Sequence, residues 1–164
     1  MTSTDSDSLR SVSLTRVGPG AFRITNAAGG TLDVGVGDTD FTPVELLLAA
    51  LAGCAAVNVE ELTGRRAEPV RFDVVAEGHK VRDETGGRMQ DLRLLFDTVF
   101  PDGEGGDAAR ASLPRFVQQT HDRICTVSRT VGLGTDVAYV VAGTDSTDST
   151  DSTDGTDGTS DSGH

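Results

Sequence analysis

Two cysteines carry most of the chemical potential of this sequence. Cys54 lies inside the run LLLAALAGCAAVNV, and Cys125 lies in HDRICTVSRTV. A thiol reacts as its thiolate, and apolar burial holds the proton on. A reactive Cys54 therefore needs a nearby cation, and without one it is a small buried apolar residue. Cys125 ends an amphipathic stretch and taken alone reads as packing. The two are far apart and form no Cys-x-x-Cys, so neither a zinc site nor a thioredoxin-like motif is indicated. His121 precedes Cys125 by one helical turn and reads as an exposed polar residue. His79 and His164 have no ligand-like spacing, so no metal and no cofactor are expected. Gly18, Gly20, Gly29 and Gly30 read as turn residues, and none opens a helix as a phosphate loop does.

Cys54 must be positioned by a helix. Thr42, Pro43 and Glu45 form a Thr-x-x-Glu capping box with proline in the first turn. This gives Glu45 a structural role. At 1.5 Å and 100° per residue, Glu45 sits about 13 Å along the helix from Cys54 and on its opposite side. Beyond the cap, Leu46, Leu47 and Leu48 place apolar side chains on three faces, and only Gly53 and Asn58 interrupt the run before Val59. A helix apolar all round must be surrounded. One sheet covers one side, so a second copy of the chain is expected to cover the other, giving a homodimer with two long helices between two sheets.

The other elements are set by alternation and turns. Strands are expected at 9–17, 21–26, 31–37, 70–83, 88–100 and 135–141, with hairpin turns at Gly18-Pro19-Gly20 and near 84–87. A second helix is expected over 108–125, with Ala109, Leu113, Phe116, Val117, Thr120 and Ile124 at helical spacing and Pro114 starting or kinking its main part. The order β-β-β-α-β-β-α-β is α+β with mostly antiparallel strands.

The 164 residues suit one folded domain over 9–142. The net charge is −12, and most of the excess acid lies in residues 1–8 and in the Ser/Thr-Asp-Gly repeat from Gly143 to His164. Both ends are expected to be disordered, the tail serving solubility. Acidity without a basic patch argues against nucleic acid. The N-terminus has no signal-peptide pattern, and the apolar run is short for a membrane span, so a cytoplasmic location without membrane contact is expected.

Taken together, PVELLLAALAGC (43–54) and HDRICTVSRTV (121–131) resemble the central helix and the second-cysteine segment of the OsmC/Ohr family. The resemblance extends over about residues 9–142. It implies an OsmC-like fold and an intertwined homodimer. In the family's peroxidase members it implies reduction of organic hydroperoxides in oxidative stress defence. Carried over, Cys54 is the peroxidatic cysteine and Cys125 the resolving one, closing an intramolecular disulfide. An arginine of the N-terminal hairpin, Arg16 or Arg23, holds the thiolate, with Arg16 favoured because it precedes the glycine-containing turn. A small hydrophobic hydroperoxide is the implied substrate, and a dithiol, such as a lipoyl-bearing protein, the implied reductant. Two positions depart from the family pattern. Val44 stands where peroxidase members carry glutamate, and Thr126 stands where proline follows the second cysteine. The alternative is an OsmC-like dimer that binds a small hydrophobic ligand without efficient peroxidase activity.

Overall fold

Two glycine turns and one asparagine build the first sheet. The computed structural model describes residues 8–142. Strand β1 (Val12–Gly18) turns back through Pro19 and Gly20 into β2 (Ala21–Asn26). Gly20 has φ +68°, which a side chain disfavours. Asn26 then closes the next turn, its Oδ1 accepting from the amides of Ala28 at 3.0 Å and Gly30 at 2.8 Å. The returning strand β3 (Thr31–Val34) pairs antiparallel with β2, so β2 is central. The strand expected over 31–37 ends at Val34, and a loop tied by Asp40 leads into the long helix.

That helix, α1 (Pro43–Gly64), starts where the capping box places it. Thr42 Oγ1 accepts from the Glu45 amide at 3.3 Å, and Glu45 Oε2 accepts from the Thr42 amide at 2.7 Å. At 22 residues α1 is long and apolar enough to cross a bilayer by length and composition, but it packs against other elements of the fold. Its buried residues are Leu51, Ala55, Val59 and Thr63, one every four positions along a narrow stripe. Leu46, Leu47 and Leu48 remain partly exposed in the single chain, and Val57 is 66% exposed.

Strands β4 (Arg71–Asp83) and β5 (Gly86–Val99) form a long antiparallel hairpin as alternation predicts. Phe72 and Phe96 meet edge to face at 6.1 Å on the side carrying the half-buried residues. Helix α2 (Glu104–Gln119) comes next and packs on α1. It begins four residues before the expected start and runs through Pro114 instead of starting there. Ala109 and Phe116, both buried, anchor it on either side of the proline. Gly106 is required at the start, because a Cβ there would collide with the Pro101 carbonyl oxygen.

The chain then departs from the expected order. A π-helical turn (Thr120–Ile124) ends at Cys125, and a third helix, α3 (Thr126–Leu133), begins there. Gly134, with φ +63°, terminates it. The strand expected over 135–141 does not form: Val137, Tyr139, Val140 and Val141 are largely exposed, with no strand beside them. Alternation makes a segment able to join a sheet, but a strand exists only where an edge receives its hydrogen bonds. The architecture is α+β, with two antiparallel sheets, α1 packed on the β4–β5 hairpin, and α2 and α3 packed on α1. The expected disordered ends, 1–8 and 143–164, lie outside the described residues except for Ser8.

Candidate active site

Cys54 stands on the flank of α1, one position before the buried stripe residue Ala55, and is half-buried. Asn58, one turn later, donates from Nδ2 to the Cys54 carbonyl at 2.6 Å and lies 3.7 Å from its sulfur. Cys125 is fully buried. The π turn delivers it: the Cys125 amide reaches back five residues to the Thr120 carbonyl at 2.9 Å, and the backbone then leaves helical geometry at φ −68°, ψ 106°. A π turn inserts one residue relative to an α-helix and so re-aims the chain beyond it. Here it makes Cys125 the N-cap of α3, with Sγ accepting the Ser128 amide at 3.4 Å.

The structure thus brings Cys54 and Cys125 together, both as free thiols. Their acidities move in opposite directions. Burial pushes the Cys54 thiol up, and its hydrogen bond to Cys125 pushes it further; the amides of Val127 and Thr126 oppose this without prevailing. Burial also pushes Cys125 up. It is outweighed by the hydrogen bonds from Cys54 and the Ser128 hydroxyl, with the amides of Ser128 and Val127, and Cys125 ends below an ordinary thiol.

Beside the pair lies an apolar pocket of about 340 Å³. Leu51 and Ala55 of α1, Leu94 and Phe96 of β5, and Val117 of α2 supply its greasy wall, and Ser128 reaches it from α3. Thr120 also lines it; its Oγ1 is buried and has no hydrogen-bond partner among the described residues. Such a wall with a few polar groups suits a small apolar molecule bearing a hydrogen-bonding end. Neither sulfur lines the pocket directly, although Ala55 and Ser128 are their immediate neighbours.

The arginines are placed elsewhere. Arg23 forms a two-pronged ion pair with Asp33 across the β2–β3 ladder, at 2.8 and 2.9 Å. Arg16 lies on β1 opposite Phe22 and is exposed. The sheet that carries both does not pack on α1 within one chain, and neither guanidinium bonds to either sulfur. Glu45 is held by its cap, and its carboxyl is pulled below the usual range by the Thr42 amide and hydroxyl. His121 pairs with Asp122 at 2.9 Å on the surface, at the pocket rim. No cluster of three metal-ligating side chains occurs among the described residues.

Sequence reasoning missed Asn58, Ser128 and Thr120 as site residues. A signal for the first two was present. Asn58 is one turn beyond Cys54 and is a lone polar side chain in the apolar run. Cys125 and Ser128 have the spacing of a cap and its third helical residue.

Comparison with known proteins bears on the family and the fold. The chain matches the family described as OsmC-like protein over residues 35–140, more than half its length. Solved structures of the same fold include an OsmC-like protein of unknown function from Vibrio cholerae (14% identity, covering 75% of this chain and 93% of that one, TM-score 0.65). Another is an OsmC-like protein from Mycoplasma pneumoniae (14% identity, 77% and 89% covered, TM-score 0.60). A third is the organic hydroperoxide resistance protein OhrB of Bacillus subtilis (20% identity, 75% and 90% covered, TM-score 0.52). A search of curated protein sequences finds no match. With the long capped helix, the two antiparallel sheets and the paired cysteines all in place, this chain belongs to the OsmC-like protein family.

Proposed function

We propose that the protein is a thiol-dependent peroxidase that reduces organic hydroperoxides in oxidative stress defence. The observation that carries this reading is the meeting of two reduced cysteines, distant in sequence, beside an apolar pocket. The pocket holds the alkyl body of the substrate. The Cys54 sulfur attacks the terminal peroxide oxygen and the O–O bond breaks. The alcohol leaves and Cys54 becomes a sulfenic acid. The Cys125 sulfur then displaces that hydroxyl and closes a disulfide. A dithiol, such as a lipoyl-bearing protein, returns the two electrons. Membership of a family that includes peroxidases supports the reading, as does fold similarity to a protein named for organic hydroperoxide resistance.

The working unit is a homodimer in the cytoplasm. Support comes from apolar surface left uncovered by one chain: Leu14 and Val75 are each 56% exposed and Leu95 46%. In the dimer, the N-terminal sheet of one copy packs near the cysteines of the other, which brings Arg16 toward a thiolate.

A second reading has its own observation. Val44 replaces the family glutamate, and neither sulfur lines the pocket. The protein is then a dimer that binds a small hydrophobic ligand, with incidental cysteines. Counting free thiols before and after one equivalent of cumene hydroperoxide separates the two. Loss of both thiols as an internal disulfide supports the peroxidase, and unchanged thiols support the binding dimer.

A further inference from the structure

We propose that Thr120 is the hydrogen-bonding anchor of the apolar pocket, and that the pocket selects a small neutral molecule with one oxygen on an apolar body. The other polar side chains that line the pocket are engaged within the fold. Glu77 and Arg93 pair with each other across the β4–β5 hairpin. Gln118 and His121 both bond to Asp122. The Ser128 hydroxyl is bonded to Cys125. The Thr120 hydroxyl has no partner among the described residues, and the residue is 1% exposed.

That orphan hydroxyl is out of pattern. A helical Ser or Thr hydroxyl commonly bonds back to the carbonyl four residues earlier. Thr63, Ser112 and Thr130 do so, at 2.9, 2.8 and 2.9 Å. Thr63 is as deeply buried as Thr120 and is satisfied in this way. Thr120 has the Phe116 carbonyl four residues back and makes no such bond. Its backbone, by contrast, is fully used. The Thr120 amide bonds to the carbonyls of Phe116 and Val117 where α2 passes into the π turn. Its carbonyl accepts from the Cys125 amide at 2.9 Å. One residue therefore lines the pocket with its side chain and holds Cys125 with its backbone. Buried polar groups without partners are rare because they are costly, and π turns gather at functional sites. An oxygen on a bound molecule satisfies this hydroxyl, which can both donate and accept.

The wall sets the rest of the ligand. Leu51, Leu94, Phe96 and Val117 offer nothing to a charge, and an ion buried against them without a partner is disfavoured. The volume, about 340 Å³, is roughly twice that of an engineered cavity that admits benzene. A single substituted ring with one hydroxyl, carbonyl or hydroperoxide group fits this description. The binding claim stands apart from the peroxidase reading, and its catalytic consequence rests on that reading. An alkyl hydroperoxide and the alcohol it yields both carry an oxygen next to the apolar body. Thr120 then holds substrate and product alike, which lowers KM and leaves kcat unchanged.

The test compares cumyl alcohol with cumene, which differ by one hydroxyl. Their affinities for the full-length, reduced protein are measured by ligand-observed NMR in wild type, Thr120→Val and Thr120→Ser. Thr120→Val should cut the ratio of alcohol affinity to cumene affinity by about fivefold, the scale of one net hydrogen bond. Thr120→Ser should keep the ratio. An unchanged ratio in Thr120→Val overturns the assignment, as does a wild-type protein that binds neither molecule. Thr120→Val should melt no lower than wild type, since no bond within the fold is lost. A large drop that Thr120→Ser restores shows that the hydroxyl has an internal partner, and this too overturns the assignment. In wild type alone, saturating cumyl alcohol should move the Thr120 methyl NMR signal; an unmoved signal overturns the assignment without any variant. With cumene hydroperoxide as substrate, Thr120→Val should raise KM about fivefold at unchanged kcat. An unchanged KM overturns the catalytic consequence. If no form of the protein turns over hydroperoxide, the peroxidase reading falls, and the binding comparison still decides the role of Thr120.

Discussion

Asn58 holds Cys54 at two points, its side-chain amide donating to the carbonyl oxygen at 2.6 Å and standing 3.7 Å from the sulfur. The polar residue that breaks the apolar run of α1 is thus the one that steadies its thiol. Asn58→Asp places a negative charge against that sulfur and should raise the Cys54 titration. Alkylation of Cys54 by iodoacetamide at pH 7, read by peptide mass spectrometry, should slow by about tenfold, the equivalent of one pH unit. Asn58→Leu removes the donor without adding charge and should slow it less. Alkylation at the wild-type rate in both variants would leave Asn58 a helix-surface residue only.

Cys54→Ser should abolish turnover of organic hydroperoxide. Cys125→Ser should permit one oxidation per chain and then stall, accumulating sulfenic or more oxidised Cys54. Intact-mass spectrometry after one equivalent of hydroperoxide checks both. Hydroperoxide consumption by the Cys54 variant at the wild-type rate would end the peroxidase reading.

Of the two hairpin arginines, Arg23 is held by Asp33 at 2.8 Å, whereas Arg16 makes no such ion pair among the described residues. Arg16→Ala should slow the first oxidation step by about tenfold, as expected for losing one charge-assisted contact to a thiolate. Arg23→Ala should change it far less, its main loss being the cross-strand pair on the surface. Stopped-flow oxidation of both variants decides, and the reverse order would pass the role to Arg23.

A chain trimmed to residues 9–142 should be a dimer by light scattering. The apolar surface left open at Leu14, Val75 and Leu95 requires a cover. A stable monomer at micromolar concentration would show that the single chain tolerates this surface, and the route by which Arg16 reaches a partner's thiolate would close.

The α1 cap makes a prediction in pH. The Glu45 carboxyl is held below its ordinary range by the Thr42 amide first, then by the Thr42 hydroxyl. A depressed folded value means its contribution is complete above the unfolded value, about 4.3, and is lost as pH falls through the folded one. Nothing should change between pH 7 and pH 5. Thr42→Ala should lower stability at pH 7 by about 1 kcal/mol, the usual cost of losing an N-cap. It should also flatten the acid loss below pH 4 in part, by the share of the Thr42 hydroxyl, because the amide that holds Glu45 first remains. Urea midpoints at pH 7 and pH 3.5 for both proteins test this, and parallel acid losses would count against the capping box as the titrating element.

Local pattern alone determined the elements whose signals are local. Thr42 to Glu45 set the start of α1, because a capping box satisfies orphan amides within four residues. Alternation and turn residues set the β1–β2 and β4–β5 hairpins, because an antiparallel neighbour is the next segment of chain. The same alternation at Thr135–Val141 made no strand, since a strand also needs an edge, and no edge is written into its own sequence. Pro114 reads as the start or a kink of the main part of the second helix, yet α2 begins ten residues earlier and passes through it, with Ala109 and Phe116 buried on both sides, and packing outweighs propensity. Helix α3 and the π turn before it were not read from the sequence, because a cysteine is an unusual cap and the Cys125–Ser128 spacing was its one local signal. The meeting of Cys54 with Cys125 depends on that turn re-aiming the chain and on α2 and α3 both seating against α1. Burial across distant segments settles such contacts, and the spacing of residues along the chain does not encode it.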